Sequence, residues 1–524
     1  MRHRSTLSRA LTSLACVAAV QATCAANSVL EHNAPFLGGT LELTLRGAAP
    51  GALISLYQSP DFGNTSTPWG TFELDRGLAT IVATGVANAA GEWTYTAPIP
   101  SNPAFAETSQ HFQAFVRPLN APRELSSAAH LRWLGSRAYA TCRGGEFPLG
   151  QPNNGELSIV SLATNSVVSA VDFGAQVQSG QRNQPVFNSN FSRGAVVVDS
   201  RIVVFDPYFG GVIGSQSFHL VDPLLHVGSD ETTLYALVVP ALGQPVQLHA
   251  IDLTTAQSTS SLDLPAGLWL EWAVNASRTI AYVGSGEDPN LPQSYVQRID
   301  LATMQDLGPT LVGGAGEGFL TAIAAQGDRI LVATQGPPWI SGAPTSTTRL
   351  IETVGGPVQT VAPGMSLTQR FEPLPAFNAF AALNYNLGAT GLRLERASNP
   401  APALPIWLPG TFNTIDLAPS TTGLWIVGDS ILGLSGGWNA SHYEIATGTW
   451  TWFPFPAWPN VPPSAIREID DAQGRRACVL IDGVDHLPVS LTPPQIYVHS
   501  PAGALLTSIP VGVWPTSLTV VAAP

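Results

Sequence analysis

Ile280-Ala281-Tyr282-Val283-Gly284-Ser285, followed after a loop by Gln297-Arg298-Ile299-Asp300-Leu301-Ala302-Thr303, decides how this chain folds. The first run is apolar and rich in β-formers, which favours an extended strand. The second ends in an acid and a Thr, whose short side chains bond back to nearby backbone N–H groups and turn the chain. Together they read as two antiparallel strands with a tight turn after the second.

The acid-and-turn element returns at residues 159–164, 204–207, 250–255, 350–353, 393–396, 442–447 and 497–500, more loosely from residue 350 onward. Its equivalent positions are Ser161, Asp206, Asp252, Asp300, Glu352, Glu395, Glu444 and His499, with a mean spacing of about 48 residues. Ahead of each copy a polar turn runs into an apolar strand, at Ser136-Arg137, Ser192-Arg193, Thr233, Ser277-Arg278, Asp328-Arg329, Asn378, Gly423 and Gly474-Arg475-Arg476.

That period, with two strand-turn signals in each copy, matches four-stranded blades, and no long segment has the 3.6-residue period of a helix. Residues 280–285 and 297–303 resemble the YVTN-type repeat of the quinoprotein-like β-propeller superfamily, in which a strand ending near Tyr-Val precedes one ending in Ile-Asp-x-x-Thr. The resemblance covers roughly residues 137–524. It implies a fold and no single activity, because the superfamily holds enzymes, binding proteins and scaffolds alike. The expected fold class is all-β, with eight blades, or seven if the short second unit is not one. The C-terminal strand, Trp514 to Val521, is expected to complete the first blade and leave no open edge.

Residues 27–133 have a different texture. Leu41-Glu42-Leu43-Thr44-Leu45 alternates with period two, Ala49-Pro50-Gly51-Ala52 turns, and Leu53-Ile54-Ser55-Leu56-Tyr57 begins another strand. Residues 88–95 resemble the late hairpin of bacterial immunoglobulin-like domains, which implies a small β-sandwich ahead of a propeller domain over 134–524.

At the start, Arg2, Arg4 and Arg9, the apolar run 10–20 and Thr23-Cys24-Ala25-Ala26 read as a secretory signal over residues 1–26. Gln21 stands where a lipobox wants Leu, which argues against Cys24 as a lipid anchor. The apolar run is too short to span a bilayer. The expected product is secreted, periplasmic or at the cell surface, without membrane insertion, and monomeric.

The chain has 23 basic residues, all Arg, against 36 acids, a net charge of −13. Loss of the three signal arginines gives (23 − 3) − 36 = −16. A surface this acidic argues against nucleic acid or an anionic membrane as partner. The lack of Lys excludes Schiff-base chemistry. Beyond the signal only Cys142 and Cys478 remain, in matching strands of the first and last units. Ring closure would bring them near one another, as a disulfide or as two buried thiols.

Gly433-Leu434-Ser435-Gly436-Gly437 matches a nucleophile elbow, yet the chain leads back into a strand where an elbow needs a helix, so Ser435 reads as a chance match. Asp222 with His226, and Asp485 with His486, lack the spacing of a zinc or calcium motif. Glu287-Asp288 and Asp470-Asp471 sit in turn-like loops, where calcium is the one cofactor weighed and turn capping the plainer role. No catalytic set and no metal set is expected.

The aromatic run 450–459 places Trp450 and Trp452 on one face of a strand, for packing between blades. Phe455 and Trp458 follow in a Pro-stiffened loop and are the candidate ligand platform. Three functions stay open. The first is an exported, non-catalytic propeller that binds a protein or glycan. The second is a propeller enzyme, lactonase-like or quinone-dependent, with carboxylates, His or Arg converging on the central channel. The third is a purely structural envelope component.

Overall fold

The computed structural model describes residues 28–146, 152–174, 184–242, 244–265, 268–285, 294–313, 319–335, 345–351, 358–386, 389–396, 405–406, 411–430, 438–454, 463–481, 494–512 and 515–523. Phe455, Trp458, Ser435, Asp485, His486, Glu287 and Asp288 lie outside the described residues, as do residues 1–27. The described chain divides into two compact units, one ending at Gly135 and the other running Ser136–Ala523. Apart from two single-turn 3-10 helices, the described elements are strands, all paired antiparallel.

In the first unit Val29–His32, Thr40–Arg46 and Trp93–Pro98 form one sheet. Ala129–Arg132, Ser109–Arg117, Leu53–Ser59 and Thr80–Val86 form a second, in that order. Phe62–Thr67 and Gly70–Leu74 make a separate hairpin. Along Thr40–Arg46 the leucines at 41, 43 and 45 are buried and the residues between them face outward, the burial that a period-two sequence dictates.

The second unit contains, among the described residues, six four-stranded sheets, one seven-stranded sheet and a two-stranded pair, Gly145–Glu146 with Pro152–Asn153. The seven-stranded sheet runs through one long strand, Val358–Leu374. Its first half pairs with Thr345–Ile351 and its second with Ala379–Asn386. The first sheet takes its edge strand from the far end of the chain, where Pro515–Val521 pairs with Arg137–Cys142.

Apolar side chains join each sheet to the next. Val204 meets Leu234, Leu237 meets Trp272, and Tyr282 meets Val332 in successive clusters. Leu331 then clusters with Phe380 between the two halves of the seven-stranded sheet, and Leu383 with Leu417 and Trp425 with Val479 between sheets. Cys478 and Leu480 of the last sheet share a buried cluster with Ala138 and Val160 of the first. The first and second sheets meet at Tyr139, whose ring lies 4.7 Å from that of Phe187. The second unit is therefore a closed ring of sheets.

The repeated acid has a local task. Asp206 Oδ1 accepts from the N–H groups of Tyr208 and Phe209 at 2.7 and 3.1 Å, and Asp300 Oδ1 from that of Thr303 at 2.9 Å. Asp252 does the same for Thr254 and Thr255. Four residues after the capping position the backbone turns left-handed, at Asn165, Gly210, Ala256, Met304 and Gly448. The cap holds each hairpin in a conformation that only Gly adopts freely.

The arginines that open the preceding strand are clamps, Arg137 and Arg278 between neighbouring sheets and Arg329 between the two halves of the seven-stranded sheet. Arg137, fully buried, donates to the Pro207 carbonyl at 2.8 Å, Arg278 to Glu231 at 2.8 Å and Arg329 to Asn378 at 2.6 Å.

Candidate functional site

The edge strands Leu220–Val227, Leu268–Val274 and Phe319–Gln326 of consecutive sheets, with the second half of the long strand Val358–Leu374, wall a cavity of about 350 Å³ in the second unit. Most of the wall is aliphatic, including Leu224, Val274 and Ile323, because these strands bury both faces between neighbouring sheets. Set into it are His226, Glu271, Trp272, Arg370 and Glu372.

Trp272 is only 2% exposed, yet its Nε1 has no hydrogen-bond partner in the structure, and neither has Nε2 of His226. The two rings meet edge to face at 4.4 Å and 86°. Burial, with Arg278 nearby, pushes the His226 imidazole down to about 4, so it is neutral at physiological pH. An orphaned buried polar group costs roughly 1–3 kcal/mol.

The charged groups on the same wall are largely committed to one another. Arg370 donates to Glu372 at 2.8 Å and to Asp416 at 2.9 Å. Asp416, buried, also accepts from Arg467 at 2.5 Å and from the Ile466 N–H at 3.0 Å. Burial alone would lower the Arg370 pKa; Glu372 and Asp416 more than offset it and hold the guanidinium charged. This chain of charges crosses three consecutive sheets and fixes the wall's electrostatics.

A second polar cluster has the spacing of a nucleophile and its base. Ser420 Oγ lies 3.1 Å from His442 Nε2. Both residues are buried, and Arg475 donates to the same nitrogen at 2.8 Å and to Ser420 Oγ at 2.7 Å. Burial, then Arg475, lowers the His442 pKa to about 4. Its Nε2 lone pair is therefore occupied and weakly basic, which disqualifies it as a general base. Glu468 completes the cluster, accepting from Trp425 Nε1 at 2.6 Å and Arg475 Nε at 2.8 Å, so these residues join two sheets.

Two of the acids singled out in the sequence, Asp222 and Asp471, act as structural acceptors. Asp222 Oδ1 accepts from the Leu224 N–H at 2.7 Å. Asp471 accepts from Ser136 and from Arg476, the latter at 2.6 Å, which ties the last sheet to the first. Among the described residues no group of three or more His, Cys, Asp or Glu is placed to hold a metal ion. Cys142 and Cys478 stand as free, fully buried thiols in one apolar cluster. Trp450 packs on Tyr443 with ring centroids 4.7 Å apart.

Sequence reading passed over Glu271, Trp272, Arg370, Glu372 and Asp416. The available signal was a charge inside an otherwise apolar strand, as in Leu270-Glu271-Trp272, Arg370-Phe371-Glu372 and Ile415-Asp416-Leu417. No helix among the described residues is long and apolar enough to cross a membrane.

No family model matches the sequence. No curated protein matches it either. Solved structures are similar to part of it. The dihydro-heme d1 dehydrogenase NirN, in complex with DHE, superposes with a TM-score of 0.52 at 12% identity, over 73% of this chain and 74% of that one. AztD from Citrobacter koseri, in its apo form, gives 0.49 at 9% identity, over 74% of this chain and 98% of that one. Identities this low speak to fold alone. The closed ring of antiparallel sheets and the likeness to NirN agree on a β-propeller.

Proposed function

We propose that this is an exported, non-catalytic binding protein that takes a protein loop or a glycan at the central cavity of its propeller. The observation that carries the reading is the unpartnered indole N–H of Trp272 beside the unpartnered Nε2 of neutral His226, both on an apolar wall. A few convergent polar groups in a mostly apolar concavity are what ligand sites require. The long strand Val358–Leu374, taken as the seam between two blades, supports a reading of eight blades, which we assign to the YVTN type. The first unit is read as an immunoglobulin-like sandwich serving as a spacer.

The test is a glycan array and a peptide array probed with the chain and with His226→Phe. Phe keeps a ring against Trp272 and removes the nitrogen, so binding should weaken about tenfold at unchanged Tm. The enzyme reading draws on one observation, the convergence of Glu271, Glu372, Arg370 and His226 on one cavity. Turnover of a lactone or ester that disappears in Glu271→Gln would favour it.

A further inference from the structure

The first unit carries a cleft of its own. The hairpin strands Phe62–Thr67 and Gly70–Leu74, with Leu53–Ser59 and Ser109–Arg117, enclose about 220 Å³. Four aromatic side chains line it. Tyr57 meets Phe72 edge-on at 5.6 Å and 86°, and Trp69 meets Phe115 at 5.2 Å and 62°. Trp69 is 42% exposed, so these rings form an open cleft and not a core. The cleft is held ready by buried Gln113, which accepts from the Glu73 N–H at 2.9 Å and donates to the carbonyls of Thr71 and Ser126 at 3.0 and 2.9 Å.

Arg76 also lines the cleft and makes no hydrogen bond or ion pair among the described residues. Its sequence neighbour Asp75 turns Oδ1 to the N–H groups of Gly77 and Leu78, at 2.7 and 3.2 Å. The cleft thus pairs one uncommitted cation with aromatic walls. We propose that it binds a single-ring aryl carboxylate, the ring among Trp69, Phe115, Tyr57 and Phe72 and the carboxylate on Arg76. Rings set at steep angles offer both faces and edges to a flat guest, and a guanidinium matches a carboxylate's two oxygens. A sugar would need several polar partners for its hydroxyls. Here the Thr67 hydroxyl is already donated to the Gly70 carbonyl at 2.6 Å, and beyond the hydroxyls of Thr65 and Tyr57, the Trp69 indole N–H and Arg76 the lining is apolar.

Calorimetry on the full chain with trans-cinnamate, cinnamamide and glucuronate tests this. The expected result is cinnamate binding with a Kd below about 1 mM. Cinnamamide and glucuronate should each bind at least about tenfold more weakly, and Arg76→Gln and Trp69→Ala should each weaken cinnamate by a similar factor. Arg76 is exposed, so its variant should keep the parent Tm and separate binding from folding. No cinnamate binding, equal binding of cinnamamide or glucuronate, or unchanged binding in both variants would overturn the proposal.

Discussion

Arg475 donates from Nη2 to Nε2 of His442 at 2.8 Å, so a guanidinium and an imidazole share a buried contact that survives only while the imidazole is neutral. His226 is held neutral by burial in the same way. Both folded values, about 4, lie below the ordinary value of 6.5. The unfolded chain therefore binds the protons first, and the stability these groups contribute is present above about pH 6.5 and is lost as pH falls toward 4. Each tenfold difference in proton affinity is worth about 1.4 kcal/mol, discounted where the ring is partly exposed. Urea midpoints at pH 7 and pH 4.5 should differ clearly, and His442→Gln should narrow the gap; equal midpoints would refute the assignment.

Closure of the ring by Pro515–Val521 makes a second prediction. Removing that strand bares the edge of Arg137–Cys142 and should cause aggregation on expression. Trimming after Val521 costs less, though not nothing, because Ala523 is buried and its N–H bonds Ser136 Oγ at 3.0 Å. A small fall in Tm with retained solubility is expected, measured by scanning calorimetry.

Asp416 is the pivot of the charged chain on the propeller wall. Asp416→Ala strands Arg467 and weakens the hold on Arg370, and should destabilise by about 3 kcal/mol, the usual cost of breaking a buried pair. Denaturant unfolding should show a matching shift in midpoint without a change in slope.

The two cysteines should titrate as thiols. Burial pushes Cys478 up to about 12 and Cys142 higher still, so neither is reactive in the folded chain. The chain beginning after residue 26 should release two thiols per molecule when denatured without reductant. Release of none would show that they are bonded.

Much of the fold is legible in the sequence because it is local. The acids at Asp252 and Asp300 announce hairpins through side-chain bonds spanning two or three residues. The cavity is not local. Trp272 and Arg370 are nearly a hundred positions apart and line one cavity only because strands of successive sheets converge on it. His226 drew notice in the sequence as a possible metal ligand, whereas the structure places it beside Trp272 with its nitrogen unpartnered. Arg329 and Arg278 were visible as turn residues, but their partners are remote in sequence, Glu231 in the neighbouring sheet and Asn378 in the other half of the same seven-stranded sheet.

The central claim is that the propeller cavity binds a guest through His226 and Trp272. It is tested most directly by array binding of the intact chain against His226→Phe, with Tm measured on both. The account predicts a protein or glycan ligand retained by the parent chain and weakened about tenfold in the variant at equal Tm. Equal retention by the two proteins, or lactone or ester turnover that depends on Glu271, would contradict it.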